Sequence, residues 1–296
     1  MPHLTPMFIA EMNDDDSGCD YVCPVYIDTK ERVLAGSIGV TPGFVSGNVN
    51  PDGAISHLIT VARREGLGKI LLQIPPGYNY CNQLLKKGFE LKRKVSFYVL
   101  PVGGLRTFEE YVSSLSNKGK KSDIKFAMKA GMRVLRARYA PETYRRFEVF
   151  LAEMAARNQQ KELPGEQFYS VLSDYYPDDV IYWIATHEGS DVGSALTLVC
   201  QGHIWIMWLQ SSERYRNLKV DTFLYAEIIR HAIEGGGRVV DFGTSPQDSP
   251  LGDFKRRLHA RLEFHEVYEI NLGMMNFLKN NGSGLRRYVR TRFFAG

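Results

Sequence analysis

One order of predicted secondary-structure elements occurs twice in this sequence, and that repeat restricts the fold more than any other feature. Residues 54–100 are predicted to form a helix, an apolar strand, a short helix and a long strand. Residues 221–270 predict the same four elements in the same order and at nearly the same length. A unit that recurs within one chain indicates a duplicated fold. Two unrelated α/β halves are the alternative interpretation.

The length of the chain agrees with a doubled domain. Its 296 residues exceed one ordinary compact domain, so two domains are expected. Gly103 and Gly104 interrupt the pattern between the two predicted repeats. We therefore predict an N-terminal half over residues 1–104 and a C-terminal half over residues 105–296.

The C-terminal half contains a predicted β-meander before its copy of the repeat. The meander consists of three β-rich runs separated by turns at Gly189 and Gly202, and the runs are 180–187, 193–201 and 203–210. A meander followed by helix, strand, helix and strand resembles the module of GNAT acyltransferases. The resemblance implies an α/β protein of two tandem GNAT-like halves, each with a mixed, twisted sheet flanked by helices.

The positive charge of the chain is concentrated in two places, although the formal net charge is only +4. One basic cluster lies in residues 118–138. The other lies near the end of the sequence and consists of Arg286, Arg287, Arg290 and Arg292. Such clusters suit the phosphates of a nucleotide, an RNA or a lipid head group. Peripheral membrane contact through the second cluster is thus one interpretation, and a solvated helix face is the alternative for both.

Neither a metal site nor a membrane span is predicted. Cys19 and Cys23 are close together, but no second Cys/His pair at ligand spacing completes a zinc site, so free thiols are expected. No stretch approaches the roughly 18 apolar residues of a membrane-spanning helix. The acidic run at 14–16 is unlike a secretory leader, and a cytoplasmic location is expected. The sequence does not predict the oligomeric state.

Residues 63–68 read Arg-x-x-Gly-x-Gly, which resembles the acetyl-CoA pyrophosphate loop of GNAT enzymes. That loop binds phosphate with backbone N–H groups at the start of a helix, so a strand must precede it. Here a predicted helix precedes it, and Gly66 is better interpreted as a helix C-cap. The equivalent segment of the second half, 214–219, has no glycine. We therefore expect no tightly bound cofactor and an acyl donor other than CoA.

Three segments of the second half, residues 118–134, 240–245 and 251–255, resemble the Fem family of aminoacyl-tRNA-dependent ligases. Residues 118–134 are similar to the basic helix that enters the C-terminal GNAT half of that family. Residues 240–245, reading Val-Asp-Phe-Gly-Thr-Ser, and residues 251–255, reading Leu-Gly-Asp-Phe-Lys, are similar to its Asp-Phe-Gly and Phe-Lys signature. Kinases also use Asp-Phe-Gly, but this chain lacks their Gly-rich loop and His-Arg-Asp. The motif resemblance covers roughly residues 105–270, and residues 1–104 resemble the family only as a duplicated fold.

The Fem resemblance implies two catalytic residues, Lys255 and Asp241. In Fem ligases the donor is aminoacyl-tRNA and the acceptor is an amine of a peptidoglycan precursor peptide. Lys255 would be a cation beside the scissile ester, where a fixed ammonium stabilises the developing oxyanion. Asp241 would orient Lys255 or receive the amine proton. On the residues alone, Lys255 is equally an exposed position of an amphipathic helix, and Asp241 a carboxylate that caps a turn.

Further binding residues follow from charge, aromatic character and position. The basic helix is expected to hold phosphates of the tRNA or the acceptor. Trp208, together with Trp205 and Tyr182 in the meander, is expected to stack on the terminal adenine of a tRNA, with core packing as the alternative. The predicted binding residues are Lys120, Lys121, Lys125, Arg133, Trp208, Ser245 and Phe254.

The sequence therefore predicts an acyltransferase that forms an amide bond. The preferred reaction moves an aminoacyl group from aminoacyl-tRNA, as co-substrate, to the amine of a peptide or small molecule. One alternative is an N-acetyltransferase that uses acyl-CoA. Another is a non-catalytic RNA- or nucleotide-binding module of the same fold.

Overall fold

A computed structural model describes most of the chain, namely residues 4–12, 19–28, 32–36, 51–74, 76, 81–116, 120–159, 163–200 and 202–273. The side chains of Cys19 and Cys23 and the whole of the second basic cluster lie outside the described part. The interpretations placed on them stay predictions.

Eleven strands and eight α-helices are found in the described residues. The strands are β1 (Leu4–Met12), β2 (Cys19–Asp28), β3 (Val33–Gly36), β4 (Lys69–Ile74), β5 (Glu90–Pro101), β6 (Arg133–Ala137), β7 (Val180–His187), β8 (Ser190–Cys200), β9 (His203–Ser211), β10 (Val239–Thr244) and β11 (Arg261–Asn271). The helices are α1 (Pro51–Arg64), α2 (Cys81–Lys86), α3 (Phe108–Ser114), α4 (Lys120–Lys129), α5 (Pro141–Arg157), α6 (Glu166–Tyr175), α7 (Val220–Glu234) and α8 (Pro250–Arg257). A 3-10 helix, Glu213–Leu218, precedes α7.

The chain forms two compact units. The continuous unit contains residues 95–264, and the split unit contains residues 3–94 together with 265–296. The boundary predicted after residue 104 differs from this division, because residues 95–104 belong to the continuous unit and the segment from 265 onward belongs to the split unit. The compact units do not test whether the chain consists of two duplicated halves that meet at residue 104, so that division stays a prediction.

The continuous unit is built on a mixed sheet with the strand order β5, β10, β9, β8, β7, β6. All neighbours in it are antiparallel except β9 and β10, which are parallel and joined by α7. Helix α7 is buried along most of its length and belongs to the main hydrophobic cluster together with residues of α3 and α4. It ends at Gly235, and Gly237 leaves no room for a side chain because a Cβ there would lie 2.8 Å from the Ala232 carbonyl oxygen. This close packing fixes where β10 begins.

The split unit has the strand order β1, β2, β3, β4, β11. Strands β3 and β4 are parallel and joined by α1, whose buried face is formed by Ala54, Ile55, Leu58 and Ala62. Strand β11 pairs with β4 from Glu266↔Ile74 to Asn271↔Lys69. Residues separated by nearly 200 positions therefore complete one sheet.

Most elements of the repeat agree with the sequence prediction. Strand β4 is the apolar strand predicted within residues 54–100, and β7 has the predicted bounds, while β1, α6 and the 3-10 helix were not predicted. Gly66 ends α1 in the left-handed region with φ +66°, so the C-cap interpretation of the Arg-x-x-Gly-x-Gly segment is confirmed. The Arg32 guanidinium donates to the Gly66 carbonyl oxygen at 3.0 Å, which holds this cap in place. Across the residues described, no helix combines the length and apolarity that crossing a membrane requires.

Candidate active site

The candidate site begins where β9 and β10 separate. Their parallel pairing runs from Val239↔His203 to Asp241↔Trp205 and then stops. Both strands continue beyond that point, β9 to Ser211 and β10 to Thr244. In α/β sheets, ligands bind outside the carboxyl ends of parallel strands. The topology therefore indicates a ligand site at the last residues of β10.

Strand β10 contains a β-bulge at this end. Asp241 lies opposite Val99 and Thr244 lies opposite Phe97, so three steps along β10 match two steps along β5. Gly243 adopts φ +71° in the bulge, a conformation that favours glycine. The Asp241 carboxylate accepts a hydrogen bond from the Gly243 N–H at 2.7 Å. The turn-capping interpretation of Asp241 is thereby confirmed.

Helix α8 places Lys255 against the bulge. The helix begins after Ser249, whose hydroxyl accepts from the Gly252 N–H at 3.0 Å, and Pro250 occupies its first position. One face of α8, made by Gly252, Lys255 and Leu258, is buried. A lysine therefore occupies a position where the spacing alone predicts an apolar residue.

Lys255 is 2 % exposed, so its interpretation as an exposed residue of an amphipathic helix is wrong. Its Nζ donates to the Gly243 and Thr244 carbonyl oxygens at 3.2 and 3.1 Å. An ammonium has three N–H donors, so two hold the bulge and one is left for a further acceptor.

Tyr98 on β5 joins this arrangement from the other side. Its ring is fully buried, with its centroid 5.6 Å from Lys255 Nζ. The Tyr98 hydroxyl donates to the Gln247 carbonyl oxygen at 3.3 Å and accepts from Arg256 Nη1 at 2.9 Å. Arg256 also donates to the Gln247 carbonyl oxygen at 2.7 Å. These bonds attach the loop after β10 to both α8 and β5.

Burial shifts the titration of Asp241 and Lys255 toward each other. It raises the pKa of Asp241 to about 7, although the Gly243 N–H and the charge of Lys255 oppose the shift. It lowers the pKa of Lys255 to about 8, and the Asp241 carboxylate opposes that shift. Two groups that interact electrostatically at the end of β10 and titrate close to neutral pH are suited to holding and moving a proton.

Phe254 and Lys120 meet beside this cluster. The Phe254 ring packs on Tyr225 with centroids 5.4 Å apart, and Lys120 Nζ lies over the Phe254 ring at 4.2 Å from its centroid. Lys120 also forms an ion pair with Asp123 at 2.8 Å. The structure thus brings two of the sequence-predicted binding residues, Lys120 and Phe254, into contact. Phe254 directly precedes Lys255 in the sequence.

The other basic residues are more dispersed. Lys121 donates to the Ser113 carbonyl oxygen at 3.1 Å, while Lys125 on α4 and Arg133 on β6 are exposed. Ser245 is buried and donates to the Thr244 carbonyl oxygen at 2.6 Å, directly after the bulge. Their roles in binding stay predictions.

The aromatic residues of the meander pack mainly in the interior. Tyr182 is fully buried and contacts Phe147 edge to face, with centroids 5.5 Å apart, and Trp205 is also buried. Core packing, the alternative interpretation, therefore holds for Tyr182 and Trp205. Trp208 is half-buried and packs on Phe168 and Tyr169 of α6.

The segment before α7 is a 3-10 helix without glycine. It ends at Lys219, which adopts the left-handed region with φ 60° and makes no side-chain cap for α7. Asp221 follows in the first turn of α7, and desolvation raises the pKa of its carboxyl while Ser211, Arg157, Lys120 and Arg216 oppose the shift. A carboxylate here competes with any anionic group for the positive start of the helix.

Comparison with known proteins agrees with this arrangement. Residues 116–256, which include the meander, α7, the bulge and most of α8, match the family model described as an acetyltransferase (GNAT) domain. The chain contains a GNAT domain. The search of curated proteins found no match to the sequence.

Solved structures share the fold of this GNAT domain and of the chain around it. FemX is 14% identical, with a TM-score of 0.68 over 93% of this chain and 90% of that one. L-PGS from Bacillus licheniformis is 13% identical, with a TM-score of 0.61 over 89% and 83%. A tandem GNAT protein from the clavulanic acid biosynthesis pathway is 9% identical, with a TM-score of 0.52 over 91% and 84%. At these identities the likeness concerns the fold, and the predicted tandem GNAT architecture is confirmed.

Three residues of the candidate site were not predicted from the sequence. Tyr98 precedes Lys255 by more than 150 positions. Gly252 was quoted only as part of the Leu-Gly-Asp-Phe-Lys motif, and Arg256 looked like an ordinary residue of a short basic helix. One signal was present, because Gly252, Lys255 and Leu258 recur at the spacing of a buried helix face. Nothing local indicates that Tyr98 belongs to the same site.

Proposed function

We propose that this protein forms an amide bond by transferring an aminoacyl group from aminoacyl-tRNA to the amine of a peptide or small molecule. One observation carries the proposal: at the carboxyl end of β10 in a GNAT domain, a buried lysine uses two of its three N–H donors on acceptors among the described residues. An ester carbonyl held beside the third donor would develop negative charge as the amine attacks. The resemblance of residues 240–245 and 251–255 to the Fem signature supports the choice of donor.

The reaction proceeds in two steps, formation of a C–N bond and cleavage of a C–O bond. The amine nitrogen attacks the ester carbonyl carbon, a C–N bond forms and the carbonyl oxygen becomes an oxyanion. The C–O bond to the ribose then breaks, and the ribose oxygen leaves as a hydroxyl after it gains the proton that the amine loses. Lys255 donates its free N–H to the oxyanion or to the departing oxygen. Asp241, which interacts electrostatically with Lys255, holds the proton in transit in this proposal.

Features at the start of α7 support a donor other than CoA. Phosphate binding at a helix start needs backbone N–H groups that the ligand can approach closely. Here the preceding residues form a glycine-free 3-10 helix, and Asp221 puts a carboxylate into the first turn of α7. Both features oppose a diphosphate.

Acetyl-CoA is therefore expected to leave the thermal unfolding of the protein unchanged. A ligand present at 100 times its dissociation constant adds about 2.7 kcal/mol to the free energy of unfolding. The measurement is a thermal melt with increasing acetyl-CoA. A saturable rise of the melting temperature would favour the acyl-CoA-dependent N-acetyltransferase instead.

Retention of charged tRNA tests the donor directly. Immobilised protein is incubated with a mixture of aminoacyl-tRNAs and uncharged tRNAs, and the bound RNA is analysed for its ester-linked amino acid. We expect enrichment of aminoacyl-tRNA over uncharged tRNA. Equal retention of both, without amide product when amines are added, would favour the non-catalytic RNA-binding alternative.

The turnover number is expected to fall as pH rises through about 8. Burial lowers the pKa of Lys255 to about 8, so the ammonium is present below this pH and is lost above it. The measurement is kcat between about pH 6 and about pH 10. A Lys255→Arg variant is the control, because its guanidinium stays protonated and the alkaline decrease should disappear from its residual activity. A decrease that persists in this variant would contradict the assignment.

Exposed basic residues of the GNAT domain are expected to contribute phosphate contacts. The double variant Lys125→Ala, Arg133→Ala should bind RNA less tightly and with a weaker salt dependence, because each lost contact reduces the slope of log K against log salt by about 0.7–0.9. Lys120 and Lys121 are less informative, since both have internal partners. Arg64→Ala, exposed on the split unit, is the matched control. An unchanged salt slope in the double variant would show that Lys125 and Arg133 contact no phosphate and form only a solvated face.

A further inference from the structure

Helices α2 and α8 end in the same way, one in the split unit and the other in the continuous unit. At the end of α8, the Lys255 carbonyl oxygen accepts from the Leu258 and Ala260 N–H groups at 3.0 and 3.2 Å. At the end of α2, the Leu84 carbonyl oxygen accepts from N–H groups at the same two spacings, at 3.1 and 3.0 Å. The residue before the second donor has a positive φ in both turns, 64° after α8 and 88° after α2. Leu84 is therefore the counterpart of Lys255.

These two positions are buried alike but carry different chemistry. Leu84 is fully buried in the apolar cluster that contains residues of α1 and β4, whereas Lys255 brings an ammonium to the same kind of place. Removing an ammonium from water disfavours its charged form. A leucine needs no compensation at this position, so a lysine requires partners that the turn itself does not provide.

The β-bulge of β10 provides the first of these partners. The register of β10 with β5 shifts between Asp241 and Thr244, and there the Gly243 and Thr244 carbonyl oxygens accept from Lys255 Nζ at 3.2 and 3.1 Å. In a regular ladder, the carbonyl oxygens of a strand bond to the neighbouring strands. Strand β4 pairs with β11 over residues 69–74 without a shift. The bulge thus occurs in the unit that has the lysine.

The Tyr98 ring provides the second. It is fully buried, and its centroid lies 5.6 Å from Lys255 Nζ. The negative face of an aromatic ring attracts a cation within about 6 Å, and more strongly where water is excluded. The hydroxyl bonds to Arg256 and to the Gln247 carbonyl oxygen fix the orientation of the ring.

Charged groups close to this ammonium come from three elements of the described chain. Asp241 on β10 favours the charged form of Lys255. Arg256 on α8 is a second cation near the same ring, at 5.9 Å from its centroid, and pairs with Asp253. Glu263 on β11 acts on Asp241, whose pKa it helps to raise. Against burial, the bulge carbonyl oxygens, Asp241 and the ring therefore act together.

We propose that Tyr98 is a positioning residue whose ring, together with the bulge carbonyl oxygens, holds the buried Lys255 ammonium in place and in its charged form. The inference rests on the proposed function for the task of that ammonium. The holding of the charge itself can be measured without any turnover.

Nuclear magnetic resonance of the whole protein, with lysine labelled at Cε, follows the titration of Lys255. Its signal is the one that is missing from Lys255→Met. Tyr98→Phe keeps the ring and should leave the titration midpoint within about 0.3 pH units of the unchanged protein. A ring-fluorinated phenylalanine at position 98 keeps the shape but weakens the negative face, so the midpoint should fall by about 0.4–1.5 pH units below that of Tyr98→Phe. Equal midpoints in these two variants would overturn the proposal.

Leu84→Lys is the matched control for burial, because it places a lysine at the counterpart position beside a strand without a bulge. This variant should unfold at a lower urea concentration than the unchanged protein, since the new charge lacks the partners of Lys255. Its lysine should titrate at least about 1 pH unit below Lys255. A stable variant whose lysine titrates at or above the midpoint of Lys255 would also overturn the proposal, because the turn alone would then hold the charge.

The pH dependence of kcat separates this inference from the proposed function. In the fluorinated variant, the alkaline decrease of kcat should move to lower pH together with the titration midpoint of Lys255. If the midpoint moves and the decrease of kcat does not, the role of Tyr98 in holding the charge stands and the role of Lys255 in the transfer is overturned.

Discussion

Lys255→Met is expected to lower the turnover number by 10²–10³, the effect of losing one preorganised donor to an oxyanion, or about 2.7–4 kcal/mol. The variant should still fold, because methionine fills a similar volume and adapts to irregular gaps. It should also bind its donor nearly as well, since the lost interaction belongs to the transition state. Steady-state kinetics, a thermal melt and donor binding on the same preparation separate these quantities.

Two further variants show whether the loss of turnover is specific to the ammonium of Lys255. Arg257→Met removes a positive charge from the exposed side of α8 and should leave turnover within about twofold of the original. Lys255→Arg should recover part of the activity, because a planar guanidinium keeps the charge but not the compact shape of the ammonium. Near-normal turnover in Lys255→Met would contradict the catalytic role. Lys255 would then only hold the bulge through the Gly243 and Thr244 carbonyl oxygens.

Gly252→Ala is expected to destabilise the protein by about 1–3 kcal/mol, as overpacking of an interior does. A Cβ at this position would lie 2.5 Å from the Tyr98 hydroxyl, 2.8 Å from the Pro246 carbonyl oxygen and 3.1 Å from that of Gln247. Two of these atoms are backbone, so a side-chain rotation cannot relieve the contact. Urea unfolding gives the change in free energy from the transition midpoint.

The same substitution should reduce activity, because Tyr98 and Gln247 belong to the network that attaches the loop after β10 to α8. Gly104→Ala is the matched control. A Cβ at Gly104 meets no atom within 4 Å, so its stability should stay within about 0.5 kcal/mol of the original. Equal stability of the two variants would show that α8 can shift away from β5 without cost.

The sequence predicts local elements well where their periodicity is strong. The strand Lys69–Ile74 and the helix before it follow from apolar spacing, and Gly66 as a cap follows from the order of helix and strand. Asp241 and Lys255 were selected by motif resemblance, and the structure places both at the end of β10. For the chemistry of these residues, the structure supplies burial and hydrogen-bond partners that no linear pattern contains.

What could not be predicted are the contacts between distant segments. The partner of β10 is β5, and the partner of β4 is β11, so each sheet is completed by a strand that lies far away in the sequence. Hydrophobic periodicity identifies a strand but not its neighbour. The participation of Tyr98 in the site is a direct result of the β5–β10 pairing and was missed for that reason.

The division of the split unit across the chain has a consequence during synthesis. Strand β4 reaches its final position only when β11 pairs with it, and the ribosome makes β11 after the whole continuous unit. At about 5–20 residues per second, the interval between the synthesis of β4 and of residue 265 lasts roughly ten to forty seconds. Until then β4, with its buried Ile70, Leu72 and Ile74, has an open edge that other nascent chains can pair with. The growing polypeptide is thus most in need of chaperone protection before residue 265 emerges.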